Sequence, residues 1–325
     1  MLSMLAETLR TSHGLKAKAD IALAAARLGI SGLSAVPVGD DCAAIPDGDG
    51  YLLFAIEGFM NEFVAGDPWF AGWCGVMVNI SDIAAMGGRP IAVIDAIWAD
   101  GEEQASPVLE GLRAASERFG VPLVGGHTNI RTDRGQLSVA ILGRAKRLLT
   151  SFDAVPGERL IAAIDLRGAY REPFANWQAA IDAPGERLRA DLELLPLIAE
   201  SGLARAAKDI SQGGIVGTAA MLAECSGVGI AIDVLAVPRP DGVELRRWLL
   251  SFPSYGYLLA VRPADIPAVT ALFAARGIAS ADIGAITADR RVTITDGSAT
   301  ETIWDFARQS LLGFGPAGGK AEAAA

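Results

Sequence analysis

The chain has 325 residues, a hydrophobic content of 51% and a formal net charge of −10 at pH 7. Its length supports two domains of ordinary size, and its acidity excludes non-specific nucleic-acid binding, which needs a broad basic surface. No apolar run approaches the ~20 residues of a membrane span, and no basic segment precedes an apolar signal core. We therefore expect a cytoplasmic protein that binds neither nucleic acid nor membrane.

The predicted elements mix helices and strands in two lobes. An amphipathic N-terminal helix is followed by predicted helices at 20–28, 68–86, 106–119, 191–199 and 214–225. Predicted strands are 51–56, 91–98, 121–124, 137–143, 159–165, 257–261 and a β-rich stretch at 283–294. We place the lobes at 1–150 and 151–315 and a disordered tail at 316–325. This order predicts an α+β fold more than one doubly wound sheet.

Cysteine and histidine are too sparse for most metal centres. Cys42, Cys74 and Cys225 are widely separated and form no CxxC pair, so we predict buried reduced thiols. His13 and His127 are the only histidines, which argues against a histidine-rich zinc site. An acidic protein can still bind a nucleotide, because backbone N–H groups and a metal ion neutralise phosphate charge locally.

Two segments offer oxygen ligands. In residues 73–88 (WCGVMVNISDIAAMGG), Asn79 and Asp82 stand three apart on one face of an apolar helix. A buried carboxylate needs a metal or charge partner, although both residues can instead cap or bridge neighbouring structure. Asp41 lies in a Gly-Asp-Asp turn, and Glu57 follows a predicted strand. Together Asp41, Glu57 and Asp82 suit Mg²⁺; separately, each acid has an ordinary turn or surface explanation.

Two glycine-containing segments are candidates for phosphate contact. Gly125, Gly126, His127 and Thr128 follow a predicted strand, where glycines permit close approach of a ligand; a tight turn is the alternative. The segment 208–214 (KDISQGG) precedes an apolar helix and suits a phosphate cradle, or else an ordinary Ser/Gly helix start. Walker A, dinucleotide GxGxxG and hydrolase GxSxG motifs are all missing from the sequence.

The order of these motifs resembles the aminoimidazole ribonucleotide (AIR) synthase superfamily. GDDCAAI, a strand ending in an acid, VNISDIAAMGGRP, LVGGHTN and KDISQGG occur in that order across most of the chain. Its members include thiamine-monophosphate kinase, selenophosphate synthetase and a carbamoyl dehydratase of hydrogenase maturation. The resemblance implies an N-terminal lobe that forms a homodimer through its sheet and a C-terminal α/β lobe. It also implies Mg·ATP in the cleft between the lobes.

The resemblance assigns site residues one by one. Asp41, Asp82 and Asp209 match metal-binding acids, with Glu57 at a further metal position. We assign catalytic roles to Asp82, His127 and Asp209, in a reaction that rests on positioning and charge neutralisation. The expected nucleotide-binding residues are Asn79, Gly125, Gly126, Thr128, Ser211, Gly213, Gly214, Lys16 and Lys18.

Several positions depart from the known members. Thiamine-monophosphate kinases have a Thr-Thr-Asp strand end, GGDT and DxSDG, where this chain has Glu57, His127 and Gln212. A site with these residues is expected to bind fewer Mg²⁺ ions or to place them differently, which argues against that kinase activity. The reactive Cys segment of selenophosphate synthetase is missing; the corresponding residues 12–18 carry Lys16 and Lys18, either phosphate contacts or a solvated basic helix start. The carbamoyl dehydratase ends in a cysteine-bearing tail, whereas this chain ends in Ala.

An acceptor substrate has candidate contacts in residues 168–177 (GAYREPFANW). Tyr170, Arg171, Phe174 and Trp177 can line a pocket for an anionic or planar molecule, or simply pack a surface loop. Arg131 is a further candidate phosphate contact. We expect an ATP-dependent enzyme that phosphorylates a small molecule or activates its amide or acyl oxygen. The alternatives are a catalytically weakened ATP-binding assembly or regulatory protein and a thiamine-monophosphate kinase.

Overall fold

The computed structural model describes residues 2–30 and 36–315, so the predicted disordered tail at 316–325 lies outside the described residues. The helices are α1 (Leu2–Arg10), α2 (His13–Lys18), α3 (Asp20–Leu28), α4 (Asn61–Gly66), α5 (Pro68–Ala85), α6 (Glu102–Phe119), α7 (Gly185–Leu192), α8 (Leu194–Glu200), α9 (Gly214–Ser226), α10 (Leu245–Leu249) and α11 (Ile266–Ala274). The strands are β1 (Ala43–Asp47), β2 (Gly50–Phe59), β3 (Arg89–Asp100), β4 (Leu123–Asn129), β5 (Arg131–Ala145), β6 (Arg159–Ile164), β7 (Ala169–Arg171), β8 (Asn176–Gln178), β9 (Ala206–Asp209), β10 (Gly229–Asp233), β11 (Gly256–Val261), β12 (Ala279–Thr287), β13 (Arg291–Thr295) and β14 (Thr300–Asp305).

The chain folds into two compact units, and their bounds differ from the predicted lobes. Of the described residues, those within 1–41, 149–179 and 201–315 form the first unit, and those within 42–148 and 180–200 form the second. The N-terminal helix joins the first unit because Arg10 Nη1 donates to Thr302 O of β14 at 2.6 Å. Residues 180–200 join the second unit because Arg89 pairs with Glu193 and Glu200, at 2.8 and 2.6 Å. These contacts join segments that are distant in sequence, so chain order alone could not reveal them.

The second unit is a five-stranded sheet with helices α5 and α6 packed on one face. The strand order is β1-β2-β5-β3-β4; the pairs are antiparallel except for β3 with β4. The two helices approach closely because they meet at glycine: a Cβ on Gly111 of α6 would lie 1.9 Å from Trp69 O of α5. The opposite sheet face exposes apolar side chains, among them Phe54, Ile56 and Ile94.

The first unit contains a seven-stranded sheet, ordered β14-β13-β10-β12-β6-β11-β9. Helix α9 follows β9 after a four-residue loop, and every residue from Gly214 to Cys225 is buried. A helix that is apolar on all sides is stable only when covered on all sides. It ends at Gly227, whose φ of +68° caps the helix in the left-handed region. Helix α9 thereby fixes the position of the β9–α9 loop, at its N-terminus, and of the turn at Gly227, at its C-terminus.

Most predicted elements are confirmed, with three corrections. The predicted helices at 20–28, 68–86 and 214–225 correspond to α3, α5 and α9. The glycine segment predicted as a loop lies within β4, because its backbone pairs with β3. The predicted helix 191–199 is two helices that meet at Glu193, and the predicted loop 168–177 contains the hairpin β7–β8. Among the described helices, none has the length and apolarity needed to cross a membrane.

Candidate active-site residues

An acidic turn in the first unit is held rigidly by its own backbone and by Ser151. Gly39 has a φ of +121°, a conformation that favours glycine. Asp40 accepts hydrogen bonds from Ser151 N at 2.9 Å and Ser151 Oγ at 2.6 Å. Burial raises the pKa of Asp40 to about 6, with repulsion from Asp41 adding to the effect and Lys208 opposing it. The predicted Gly-Asp-Asp turn is confirmed, and its first acid is a structural anchor.

Asp41 forms a buried ion pair with Lys208, a residue that the sequence analysis did not select. Lys208 Nζ donates to Asp41 Oδ1, and each side chain is 5% exposed. Burial alone would lower the pKa of Lys208, but the Asp41 and Asp40 carboxylates outweigh it and raise that pKa. The lysine therefore stays charged. The one sequence feature that pointed to Lys208 was its position next to the predicted metal ligand Asp209. The burial of the lysine could not be read from the sequence.

The acids of this turn and of β9 form a donor set that fits a divalent cation. Carboxylate oxygens of Asp41 and Asp209 lie within 4.8 Å of each other, and Asp209 N donates to Asp41 Oδ2 at 3.4 Å. The Asp41 and Asp40 carboxylates both act on the single Lys208 ammonium group, and Asp209 adds a third acid beside Asp41, so negative charge is in excess. Carboxylate oxygens are the ligands that Mg²⁺ prefers. Cys225 adds no thiolate, because burial raises its pKa.

The loop between β9 and α9 contacts the lysine-bearing helix α2. A Cβ on Gly14 would lie 2.0 Å from Gln212 O, and Leu15 of α2 packs against Gly217 of α9. Ser211 N donates to Thr218 Oγ1 at 3.2 Å, which closes the loop over the first turn of α9. The structure thus brings together two of the predicted phosphate-binding segments. Lys16 and Lys18 lie on this same helix, the first exposed and the second half-buried.

In the second unit, Asn79 and Asp82 are buried on α5, as predicted. Asn79 Nδ2 donates to Gly75 O at 2.8 Å and to Val139 O at 3.0 Å. Both amide hydrogens are therefore used, one within α5 and one to join α5 to β5, and Asn79 has a structural role in this geometry. Asp82 is 6% exposed and follows one helical turn later.

A row of residues crosses four strands of this sheet and contains an acid that the sequence analysis missed. Glu57 pairs with Val139, Val139 with Asp95, and Asp95 with Gly126. The two acids are separated by two strand spacings, roughly 10 Å. Asp95 Oδ2 is buried without a hydrogen-bond partner among the described residues, and burial raises the Asp95 pKa. An acid inside the otherwise apolar strand 91–98 was the signal.

Asp95 and the predicted glycines are in direct contact. A Cβ on Gly126 would lie 2.4 Å from both Asp95 O and Asp95 Oδ1, so only glycine fits at this position. His127 is the next residue and lies beside Trp98, with ring centroids 5.6 Å apart. Successive strand residues point to opposite faces, so His127 and Asp95 lie on different faces of the sheet. Thr128 is exposed on the edge strand β4.

The predicted acceptor-binding residues are largely engaged in packing. Trp177 is 5% exposed, and its Nε1 donates to Asp165 O at 3.1 Å. Tyr170 OH pairs with Ser251 Oγ at 2.6 Å, and the Arg247 guanidinium lies 3.7 Å from the Tyr170 ring centroid. Both rings therefore take part in packing, and the acceptor contact predicted for them stays a prediction.

The remaining predicted contacts lie outside these clusters. Arg171 is half-buried at the end of β7. Arg131 is exposed at the start of β5, where its N–H donates to Asn129 Oδ1 at 3.0 Å. Glu57, on β2, is half-buried in the row that also contains Asp95.

The chain is similar to several curated proteins. A Synechocystis protein described as uncharacterised is 48% identical over 320 residues, which cover 97% of this chain and 99% of that protein. The phosphoribosylformylglycinamidine synthase subunit PurL of Methanopyrus kandleri is 28% identical, over 80% of this chain and 39% of the subunit. A thiamine-monophosphate kinase of Methanospirillum hungatei is 29% identical, over 64% of this chain and 72% of the kinase.

Solved structures share the fold. Thermotoga maritima PurL complexed with ATP has a TM-score of 0.69 at 19% identity, covering 85% of this chain and 46% of that one. AaThiL complexed with AMPPCP and TMP has a TM-score of 0.64 at 21% identity, covering 85% and 92%. This chain thus spans less than half the length of the PurL proteins that it matches.

Family models match both parts of the chain. The N-terminal domain model of AIR synthase related proteins matches residues 39–145, and the C-terminal domain model matches residues 178–297. The first match includes Asp41, Glu57, Asp82 and the β4 glycines, and the second includes the β9–α9 loop. The fold predicted for this superfamily is confirmed. The chain belongs to the family of AIR synthase related proteins.

Proposed function

We propose that this protein is an ATP-dependent enzyme that phosphorylates a small molecule or activates its amide or acyl oxygen through a phosphate intermediate. The observation that carries the proposal is the buried cluster of Asp41, Lys208 and Asp209 beside the β9–α9 loop. An excess of negative charge there suits a cation, and the adjoining helix N-terminus suits a phosphate group.

Asp41 and Asp209 are the residues of the first unit that would hold Mg²⁺. The ion, when bound, neutralises phosphate charge and polarises the phosphoryl oxygens. Lys208 fixes the orientation of Asp41, because it occupies one carboxylate oxygen and leaves the other directed toward β9. We propose Asp82 as a further metal ligand, on the basis of the family resemblance and its burial on α5.

In this proposal, the β9–α9 loop and helix α2 bind the nucleotide. Backbone N–H groups at the start of the buried helix α9 favour an anion, because four such groups lack partners within the helix. Ser211 and Gly213 lie in this loop, and Lys16 and Lys18 are carried by the helix that contacts it. Cations there are positioned to neutralise phosphate oxygens. Gly125 and Gly126 are proposed nucleotide contacts of the second unit.

The relatives support ATP use and leave the acceptor open. The structures that share the fold include PurL complexed with ATP and a protein complexed with AMPPCP. Thiamine-monophosphate kinase is a further candidate activity, since such a kinase is 29% identical. Glu57, His127 and Gln212 depart from the pattern of that kinase, and His127 lies beside Trp98. A general small-molecule acceptor is therefore the better proposal.

An ATP-binding assembly or regulatory protein is the second candidate function. The Lys208–Asp41 ion pair favours it, because an ammonium group already neutralises one of the proposed metal ligands. ADP formation across a panel of phosphorylated metabolites, amides and carboxylic acids separates the two functions. Metabolite-stimulated ADP formation that is lost in Asp209→Asn supports the enzyme. Tight Mg²⁺-dependent ATP binding without turnover on any member of the panel supports the binding protein.

We also propose that the protein is a homodimer. The face of the second unit's sheet opposite α5 and α6 exposes Phe54, Ile56 and Ile94, at 48%, 67% and 44%. A contiguous apolar face of this kind is characteristic of an interface. A second copy of the same sheet is a self-complementary occupant, as twofold symmetry requires.

A further inference from the structure

We propose that residues 311–315, here called the C-terminal strap, position the acidic turn that presents Asp41. The strap lies about 270 residues from that turn in sequence and carries no charged side chain. The inference rests on the proposed function only in that the turn is taken to bind Mg²⁺. It assigns a positioning role, and Phe314 itself is not placed in contact with nucleotide or substrate.

Glu224, in the last turn of α9, anchors the strap. Its carboxylate accepts hydrogen bonds from Leu311 N at 2.8 Å, from Leu312 N and from Gly313 N at 3.3 Å. Hydrogen bonds from backbone N–H groups to a carboxylate are among the stronger ones in proteins. Leu311 and Leu312 are also buried, at 3% and 1% exposure. The strap is therefore fixed to α9 by both polar and apolar contacts.

Phe314 places its ring against Gly39, the first residue of the acidic turn. A Cβ added to Gly39 would lie 2.7 Å from Phe314 Cδ2 and 3.1 Å from Phe314 Cγ. No larger residue fits at this position without displacing the ring. The φ of +121° at Gly39 leads to the same conclusion, since other residues rarely adopt it. Gly39 is therefore selected by its contact with the strap as well as by its backbone conformation.

Cys225 also holds Gly39, through a hydrogen bond from its thiol to the Gly39 carbonyl group. Cys225 Sγ donates to Gly39 O at 3.7 Å, and a Cβ on Gly315 would lie 2.2 Å from Glu224 O. Two adjacent residues of α9, Glu224 and Cys225, thus hold the strap and the turn at the same level of the helix. The N-terminus of α9 carries the proposed phosphate-binding loop. One buried helix consequently sets the relative positions of that loop and of the acidic turn.

The strap affects the proposed metal ligand because the chain runs from Gly39 directly into the two acids of the turn. Asp40 and Asp41 directly follow Gly39, and their carboxylates reach Ser151 and Lys208 respectively. Removal of the Phe314 ring opens space beside Gly39, so the backbone that leads into Asp40 and Asp41 loses one of its supports. A metal ion must then order the turn when it binds, which weakens binding. We expect Phe314→Ala to weaken Mg²⁺ binding at least five-fold, while Phe314→Leu retains most of the affinity.

Two measurements on the full chain test the strap. Hydrogen exchange of the amides of residues 38–42 requires no ligand and reports the order of the turn directly. Mg²⁺ titration by calorimetry reports the affinity. Glu224→Gln tests the anchor with a side chain of the same shape, and Gln309→Ala, at an exposed neighbouring position, is the control.

The expected result is faster exchange at residues 38–42 and weaker Mg²⁺ binding in Phe314→Ala and Glu224→Gln, but not in Gln309→Ala. Unchanged exchange in Phe314→Ala, or an equal change in Gln309→Ala, overturns the proposal. Failure of the proposed function has a different signature: the wild-type protein then binds neither Mg²⁺ nor ATP. The exchange comparison decides the role of the strap in that case as well.

Discussion

Lys208 Nζ donates a hydrogen bond to Asp41 Oδ1, and the two side chains are 95% buried. Replacement of Lys208 by Met leaves the buried carboxylates of Asp41 and Asp40 without their cation. Removal of one partner of a buried ion pair typically costs about 3–5 kcal/mol. We expect Lys208→Met to lower the free energy of unfolding by about that amount, measured by urea denaturation without divalent cations.

Two further measurements control that prediction. The double variant Asp41→Asn/Lys208→Met should lose less stability than Lys208→Met alone, because it leaves one fewer unpaired charge. Added Mg²⁺ should restore part of the stability of Lys208→Met, since the ion binds the folded state. A loss below about 1 kcal/mol in the single variant contradicts the buried pair described here.

Asp95 is predicted to destabilise the folded state at neutral pH. Burial raises its pKa above the ordinary 3.8, while a hydrogen bond from its own backbone N–H opposes the shift. Because the folded state favours the protonated form, the free energy of unfolding falls as pH rises through the unfolded-state and then the folded-state pKa. Asp95→Asn removes this effect, so the variant should be at least as stable as the wild type at pH 7.

Thermal unfolding of both proteins as a function of pH checks the Asp95 prediction. The advantage of Asp95→Asn should be small near pH 4 and should grow toward about pH 7. Near about pH 2, well below the ordinary pKa of 3.8, Asp95 is neutral in both states, so a comparison there supplies the internal control. A variant that is clearly less stable than wild type at neutral pH would falsify this account of the carboxylate.

The close packing of α5 against α6 predicts that the loss of stability caused by a Gly→Ala substitution depends strongly on where the glycine lies. A Cβ at Gly111 would lie 1.9 Å from Trp69 O, and one at Gly72 would lie 2.1 Å from Val108 O. Backbone atoms cannot move aside as side chains do, so Gly111→Ala should cost at least the ~1–3 kcal/mol typical of overpacking. Gly135→Ala, with no neighbour nearer than 3.6 Å, is the matched control. Equal stability of both variants in urea denaturation would show that the helices are not in close contact.

The apolar sheet face predicts a defined assembly state. Ile56 is 67% exposed in the single chain, and Ile56→Lys would place a charge inside the proposed interface at a high desolvation cost. Sedimentation equilibrium should show a dimer for the wild type and a monomer for Ile56→Lys. The control is Met4→Lys, at a residue 73% exposed on α1. A monomeric wild type rules the dimer out.

Local sequence patterns predicted the elements of the fold better than their grouping. The helix α5 was recognisable from an apolar run that begins at Pro68 and ends near Gly87, and α9 from a run that follows Gly213-Gly214. The grouping of residues 1–41 with the last strands depends on contacts such as Arg10 with Thr302 O. Such contacts join residues almost 300 positions apart, and no periodicity encodes them.

The acidic turn and the β9–α9 loop were selected because each has a recognisable motif, and phosphate binding by that loop stays a prediction. Lys208 and Asp95 were missed because their significance depends on burial and on strand register. Asp95 becomes notable only when β3 pairs it with Gly126. Trp177 was selected as a candidate ligand contact for its aromatic ring; in the fold it packs in the core, where its Nε1 donates a hydrogen bond to Asp165 O.

Calorimetric titration with ATP, with and without Mg²⁺, tests the central claim most directly. Wild type and the exposed control Asp241→Asn should bind ATP with micromolar affinity only when Mg²⁺ is present. Asp209→Asn and Asp82→Asn should lose at least ten-fold in affinity, about 1.4 kcal/mol, while retaining their thermal stability. ATP binding that is absent, independent of Mg²⁺ or equally strong in Asp209→Asn would contradict the account.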